Sequence, residues 1–392
     1  MYSRIFKLQI CLLFVFSMFW ITGCEKIENV VTDTIDSTVE PETMSTLKVG
    51  LIRPHPLYFS FGEGAELAQT EINQAGGVLG MPVEFVYREE LSVDVVQSAT
   101  ELIEDENVVA ILGPLFSSHA VKVGPIATIP VLLGATGANV TETGDFLFLV
   151  ASSNALQAKL MAQFAFKELN ATSAAMIWQN QDVYSIGFVN AFEENFMELG
   201  GSIVAKEMYE SGDVDFNVQL TNIKDKAPDV LFLASFPPEN PLIIKQARDM
   251  EIQATFIGSD GWDDSLMFEN MDAIPHLENS YYCTNFDPDA TDFITAYEAM
   301  FEGSTANGIA ASGYDAMRIL AIAIENAQST DPMEIRSAIS EITNYTGATS
   351  ISNYDVNRHP VKSVGVFQIT DGKPQPYKVV GSDTVYEIEG PE

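Results

Sequence analysis

Polar residues that could bind an anion follow a predicted strand in the first half of the chain. Residues 113–118 join strand 108–112 to a helix that begins near Ser117. Ser117, Ser118 and the first free amides of that helix would face a cleft, with the positive end of the helix behind them. Serine is also an ordinary helix cap. The pattern therefore predicts an anion site or a simple cap.

A second polar group ends the next predicted strand. Gly134, Ala135 and Thr136 place backbone carbonyls and a hydroxyl together, which can receive an ammonium and a carboxylate at once. A plain loop is the alternative interpretation of the same three residues.

In the second half of the chain, Tyr184 opens a predicted helix, and its hydroxyl and ring could close over a small ligand. A ligand ammonium requires a carboxylate, and the loop candidates are Asp260 first, then Asp213 and Asp182. Each of the three fits a cap or a turn equally well. Trp178 and Trp262 each lie at the end of a predicted strand. We expect Trp262 either to form an apolar wall of the ligand pocket or to pack in the core.

Other chemistry finds no support in the sequence. There is no Gly-x-Ser-x-Gly pentad and no phosphate-binding loop, and the four histidines have no metal-ligand spacing. We expect no catalytic residues, no metal and no cofactor, and hence no enzyme.

Composition restricts the partners. The 392 residues carry 20 Lys+Arg against 55 Asp+Glu, a formal charge of −35, which repels nucleic acid and anionic lipid. At 46% hydrophobic residues the chain has enough apolar material for two domains.

The N-terminus predicts the compartment. Arg4 and Lys7 precede an apolar run at 8–21, and Ile-Thr-Gly-Cys at 21–24 resembles a bacterial lipobox. A run of about 14 residues is too short to span a bilayer. We expect a signal peptide at 1–24, lipidation of Cys24, an acidic tether at 25–45 and an extracytoplasmic location, facing the periplasm or on the cell surface.

From about residue 46, strands and helices alternate in two successive sets. Near-continuous apolar strands joined by helices predict parallel sheets covered on both faces, in two Rossmann-like lobes. Ligands of such sheets bind at the carboxyl ends of the strands, so the cleft between the lobes is the expected site.

Seven segments resemble the type I periplasmic binding proteins, in the branch of leucine/isoleucine/valine-binding proteins. They are GAELAQTEINQAGGVLG at 64–80, AILGPLFSS at 110–118, GAT at 134–136, DVYSIG at 182–187, IKQARDM at 244–250, GSDGW at 258–262 and GYDAM at 313–317. The resemblance covers about 46–375 and implies a monomer that carries an amino acid to an ABC permease. It implies that Ser118, or else Ser117, binds the ligand carboxylate, that Gly134 or Ala135 binds the ammonium, and that Thr136 binds both.

The chain departs from the family pattern at two places. Tyr184 is followed by Ser185 where glycine is usual, and the loop at 53–64 carries Tyr58, Phe59 and Phe61. That loop lines the side-chain pocket in the family, so Tyr58 is a further candidate contact and the branched-aliphatic preference stays open.

The resemblance implies a three-stranded hinge between the lobes. We expect lobe 1 at 46–151 plus 286–346 and lobe 2 at 152–285 plus 347–392, with crossings near 151–153, 283–287 and 345–350. A ligand-sensing or protein-docking lipoprotein of the same fold is the first alternative function, and an extracytoplasmic enzyme with a novel site is the second.

Overall fold

The computed structural model describes residues 45–54 and 59–380, and the backbone of 385–386. The helices are α1 Ser60–Gln74, α2 Val95–Glu104, α3 Ser117–Val123, α4 Asn154–Lys167, α5 Val183–Glu198, α6 Asn217–Lys224, α7 Glu239–Asp249, α8 Thr291–Met300, α9 Gly308–Ala327 and α10 Pro332–Ser340. The predicted signal peptide, Cys24, nearly all of the tether and Tyr58 lie outside these residues.

The first lobe is built on a five-stranded sheet that is parallel throughout, in the order β2-β1-β3-β4-β5. Its strands are β1 Leu47–Arg53, β2 Val83–Glu89, β3 Ile111–Leu112, β4 Val131–Leu133 and β5 Leu147–Leu149. The central strands are apolar because helices cover both faces. One apolar cluster packs α1 and α9 against the sheet, and another packs α2 and α3 against the opposite face.

The second lobe has an eight-stranded sheet in the order β16-β15-β14-β10-β9-β8-β6-β7. Its strands are β6 Ser173–Gln179, β7 Ser202–Tyr209, β8 Val230–Ala234, β9 Thr255–Gly258, β10 Tyr281–Thr284, β14 Val364–Thr370, β15 Lys373–Val380 and β16 Val385–Tyr386. The strands from β7 to β10 are parallel, and the C-terminal strands add an antiparallel edge. The predicted two-lobed α/β fold is confirmed, with this mixed edge as an addition.

Helix starts follow local polar signals. Asp94 caps α2 by accepting a hydrogen bond from the Val96 amide, and Asp182 caps α5 by accepting one from the Ser185 amide. Such caps stabilise a helix by about 1 kcal/mol. Asp182 is therefore a cap in the structure, which is one of the two roles expected for it.

The chain passes between the lobes three times. The first crossing lies between β5 and α4, and the second between β10 and α8. The third lies between Lys362 and Val364, later than the expected 345–350. Residues 343–362 form an antiparallel sheet of β11 Thr343–Thr346, β12 Ser350–Tyr354 and β13 Pro360–Lys362.

Residues 347–362 belong to the first lobe, although we expected them in the second. Tyr345, Ile351 and Tyr354 are buried in the core cluster that contains α1 and α9. Short strands of alternating polarity fit either sheet by pattern alone, so packing decided their place.

Among the described residues, none of the helices is long and apolar enough to cross a membrane. Within the same ranges, no group of three or more His, Cys, Asp or Glu side chains could hold a metal ion.

Candidate ligand-binding site

A cavity lies between the lobes, at the carboxyl ends of β4, β6, β9 and β10. It encloses about 420 Å³ of non-atom space, including its open mouth. Both lobes and the hinge line it, through Leu115, Gly134, Thr136, Ala151, Tyr184, Phe236, Asp260, Gly261, Asp263, Thr284, Asn285, Gly308, Ile309 and Ser312. Four sequence-predicted residues thus meet here: Gly134, Thr136, Tyr184 and Asp260.

Asp260 supplies a carboxylate to this cavity from the second lobe. It begins a short 3-10 turn just after β9, and its side chain accepts three hydrogen bonds. The Tyr184 hydroxyl donates to Oδ1 at 2.5 Å, while Gln157 and Asn285 donate to Oδ2 at 2.9 and 3.2 Å. The carboxylate is therefore fixed in place and still reaches the cavity wall.

Burial raises the pKa of Asp260 to about 6, and the nearby Asp263 carboxylate raises it too, while the Tyr184 and Gln157 hydrogen bonds lower it. Burial and the adjacent Asp260 raise the pKa of Tyr184 well above its ordinary value. At pH 7 the site therefore holds a neutral phenol donating to a mainly ionised carboxylate. Such a buried negative charge favours a cationic ligand group.

Thr136 faces the cavity from the first lobe. The residue is only 5% exposed, and its hydroxyl oxygen is buried with no hydrogen-bond partner. Its carbonyl accepts from the Asn154 amide at 2.7 Å, which anchors this loop at the start of α4. An unsatisfied buried hydroxyl costs about 1–3 kcal/mol, so a ligand atom that bonds to it gains that stabilisation.

The two positions before Thr136 contribute no side chain to the cavity. Gly134 lines it, and a Cβ there would lie 2.9 Å from the Phe61 ring, so glycine permits this packing. Ala135 is buried, and its amide donates to the Pro114 carbonyl at 3.2 Å. Of the three predicted residues, Ala135 is the one that does not line the cavity.

The start of α3 already holds an internal anion. The buried Glu90 carboxylate accepts from the Leu115 and Phe116 amides at 2.9 Å each, and its Oε1 lies 3.0 Å from Nδ1 of His119. The Ser117 hydroxyl accepts from the Gly137 amide at 3.0 Å. The two amides just before α3 are thus bonded to the protein's own carboxylate, next to the predicted anion position.

Neither serine of that motif lines the cavity. Ser117 is 2% exposed and is occupied in tying two loops together. Ser118 is half-buried on the first turn of α3. As ligand contacts both remain predictions, and the structure does not bring them to the cavity wall.

Two other candidates lie elsewhere. Asp213 accepts a hydrogen bond from the Glu210 amide at 2.9 Å in a surface turn. Trp262 is fully buried, and its indole packs against Gly258 and Tyr282 in the second-lobe core. In the structure Asp213 is therefore a turn residue and Trp262 a core residue, which for each is one of the two roles expected.

Sequence reasoning missed several lining residues that lie near the hinge. Asp263 accepts from the Gly308 amide at 2.6 Å, so a second-lobe carboxylate meets the start of α9 in the first lobe. Its other oxygen accepts from the Tyr282 hydroxyl at 3.2 Å, and burial raises its pKa. The adjacent GSDGW motif was the available signal, since it ends one residue before Asp263.

Aromatic rings form one side of the cavity across the two lobes. Phe236 of the second lobe lies edge-to-face with Phe116 of the first, with centroids 5.4 Å apart. Phe236 also packs on Tyr184 at 4.5 Å. No Lys, Arg or His is among the residues that line the cavity in the described part of the chain. The site is therefore an acidic pocket with an apolar side.

A comparison with protein families assigns this two-lobed fold, with its cavity between the lobes, to one class of protein. The family model described as "Periplasmic binding protein" matches residues 59–374, and the chain belongs to that family. The predicted resemblance is thereby confirmed.

Individual relatives narrow the comparison. The chain is 27% identical to the Leu/Ile/Val-binding protein BraC3 of Rhizobium johnstonii, over 75% of this chain and 83% of that protein. The crystal structure of the leucine-binding protein LivK of Thermotoga maritima has 30% identity and a TM-score of 0.80, covering 86% of this chain and 99% of that one. LivJ of Streptococcus pneumoniae, solved in complex with isoleucine, has 27% identity and a TM-score of 0.79, covering 86% and 100%.

Proposed function

We propose that this protein is the extracytoplasmic solute-binding lipoprotein of an ABC importer, and that its ligand is a zwitterionic amino acid. One observation carries the proposal. The cavity presents the Asp260 carboxylate from one lobe and the unpartnered Thr136 hydroxyl from the other. A ligand with an ammonium and a carboxylate on one carbon satisfies both groups only when the lobes are closed over it.

The electrostatics support an ammonium over an anion as the group that meets the second lobe. Asp260 and Asp263 both line the cavity, and no basic side chain of the described lining opposes them. A ligand carrying only a carboxylate would bring a further negative charge, beside the Asp260 carboxylate, into a buried site without compensation. The names of the relatives, among them Leu/Ile/Val-binding proteins, agree with an amino-acid ligand.

The lipid anchor is proposed from the N-terminal sequence. Cys24 follows a basic start and an apolar run, in the order of a bacterial lipobox. Anchored by the acylated cysteine, the protein works as a monomer outside the cytoplasm and delivers its ligand to a permease. Mass spectrometry of the purified chain tests this proposal: an unprocessed N-terminus at Met1 contradicts it.

Ligand binding is tested by thermal unfolding of the full chain in detergent against a panel of amino acids. A ligand at about 100 times its Kd adds about 2.7 kcal/mol to the free energy of unfolding. For each amino acid that stabilises the protein, the matching amine without a carboxylate and the matching acid without an ammonium are compared. Both should bind much more weakly than the zwitterion.

Two results contradict the amino-acid proposal. If the acid analogue binds as well as the amino acid, Asp260 does not receive an ammonium. If no amino acid of the panel stabilises the protein, the alternative of a protein-docking lipoprotein replaces amino-acid capture, and the partner is sought by crosslinking on intact cells.

A further inference from the structure

A ring of hydrogen bonds connects Asp260 to the hinge. Gln157 Nε2 donates to Asp260 at 2.9 Å and also to the Ser152 carbonyl at 2.8 Å. Asn285 Nδ2 donates to the same Asp260 oxygen at 3.2 Å, and its Oδ1 accepts from the Ser152 amide at 2.7 Å. Both backbone polar groups of Ser152 are thus held by amide side chains that share one carboxylate oxygen.

The ring fixes the second-lobe ends of two crossings. Ser152 belongs to the first crossing and Asn285 to the second, and both are buried. On the first-lobe side, Lys362 Nζ lies 3.5 Å from the Val150 carbonyl and 2.7 Å from the Thr349 hydroxyl. Side-chain hydrogen bonds therefore hold the backbone of the first crossing at Val150 and at Ser152, on either side of Ala151. Ala151 itself lines the cavity.

We propose that Asn285 is a positioning residue that couples occupancy of Asp260 by the ligand to closure of the hinge. This inference rests on the proposed function. Asn285 lines the cavity, donates to the carboxylate proposed to bind the ligand ammonium, and accepts from the backbone of the neighbouring crossing. Within the ring, Asn285 alone combines two features. Its backbone belongs to the second crossing, and its side chain contacts both Asp260 and Ser152 of the first crossing.

The physical basis is the strength of bonds to an ionised group. Hydrogen bonds to a carboxylate are about twice as strong as neutral ones, so the ring is tightest when Asp260 is charged. Near and below pH 6, where the empty site takes up a proton, a bound ammonium keeps Asp260 ionised. In that pH range the ligand favours the complete ring and the hinge geometry that the ring holds.

Other titratable groups face this carboxylate. The Tyr184 hydroxyl donates to Asp260 and stays protonated. Asp263 opposes ionisation of Asp260 as a nearby like charge. The Cys283 thiol donates to Gln157 at 3.2 Å, and burial raises its pKa well above the ordinary value, so it remains neutral.

The test uses Asn285→Ala in the full chain, with the amino acid that stabilises the wild type best. Calorimetry gives the affinity as a function of pH, and small-angle X-ray scattering gives the compaction that the ligand causes. We expect an affinity about 10-fold weaker at pH 7.5. We also expect a smaller compaction at saturating ligand, and loss of binding on acidification that begins at higher pH than in wild type. Without the Asn285 donor, the Asp260 carboxylate holds its proton more tightly.

Asn73→Ala is the matched control. Like Asn285, Asn73 is an asparagine whose side chain accepts from a distant backbone amide, that of Val83 at 2.7 Å, and it also donates to the Val83 carbonyl at 2.9 Å. It lies at the end of α1, outside the ring, so the variant should lose stability but keep wild-type binding and compaction. Gln157→Met breaks the other arm of the ring and serves if Asn285→Ala does not fold.

The outcomes separate the inference from the proposed function. If Asn285→Ala and Gln157→Met compact fully and keep the wild-type pH profile, the ring is only structural and the inference is wrong while amino-acid binding stands. If the wild type binds no amino acid, the proposed function fails and the inference falls with it.

Discussion

Replacing Asp260 by asparagine should weaken ligand binding and at the same time stabilise the ligand-free protein. Burial raises the pKa of the carboxyl from 3.8 to about 6. That difference corresponds to a cost of about 3 kcal/mol for ionising Asp260 in the empty site at neutral pH. Asp260→Asn removes this cost, because an amide carries no charge.

The gain in stability is smaller than the cost removed. The asparagine oxygen can still accept from Gln157 and Asn285, but its amide then faces the Tyr184 hydroxyl, which must accept instead of donate. Losing one charge-assisted bond offsets about 2 kcal/mol, which leaves a net gain of about 1 kcal/mol. The melting temperature should rise by about 1–2 °C.

Binding changes in the opposite direction. The ligand ammonium loses its ionic partner, a loss of about 3 kcal/mol, which weakens the affinity about 100-fold. Calorimetry with the stabilising amino acid measures this, and thermal unfolding without ligand measures the stability. Asp213→Asn is the control, because Asp213 lies in a surface turn and its replacement should leave the affinity unchanged.

Two results refute this reasoning. Unchanged affinity in Asp260→Asn would show that the ligand ammonium binds elsewhere. A loss of both affinity and stability would show that the carboxylate mainly supports the fold, through the bonds it accepts.

Three further predictions concern the opposite lobe, the core and pH. Thr136→Val should weaken binding about 10-fold without lowering stability, because the buried hydroxyl has no internal partner; calorimetry and thermal unfolding check both values, and equal affinity excludes this hydroxyl from the site. Trp262→Phe should cost about 1–2 kcal/mol in urea unfolding and leave affinity near wild type, because the indole is a core group; a large loss of affinity at unchanged stability would return Trp262 to the ligand wall. The Asp260 carboxyl binds its proton more tightly in the folded chain than in the unfolded one, so it stabilises the ligand-free protein at low pH and this contribution is lost as pH rises towards 6. Between pH 7.5 and 5 the wild type should therefore gain about 1 kcal/mol relative to Asp260→Asn, and a saturating ligand should abolish the gain; equal pH dependence of the two proteins contradicts the raised pKa.

The local sequence pattern was sufficient to predict those features that depend on a single helix or strand. Apolar strands that alternate with amphipathic helices fix the two α/β lobes, because a parallel sheet needs cover on both faces. Asp260, Thr136 and Tyr184 were recognisable because each follows a strand, and strand ends of parallel sheets meet at one edge. The sequence likewise predicts the leader and the lipid-modified cysteine from order and composition alone.

The local sequence pattern did not predict contacts in which the two residues lie far apart in the sequence. Glu90, one residue past the end of β2, accepts from the Leu115 and Phe116 amides just before α3, although 25 residues separate it from Leu115. Similarly, Trp262 follows a strand, as a cleft residue would, but its indole packs against Gly258 and Tyr282 in the core.

The sequence by itself determined the fold class, the family and part of the cleft, because these follow from periodicity and from short motifs. Only the tertiary structure decided that Asn285 and Gln157 share one oxygen of Asp260, and that residues 343–362 pack on the first lobe. Gln157 and Asn285 are 128 residues apart, and Tyr354 shares its core cluster with residues as early in the chain as Leu47. Such distances are set by how whole sheets and helices pack and by no local preference.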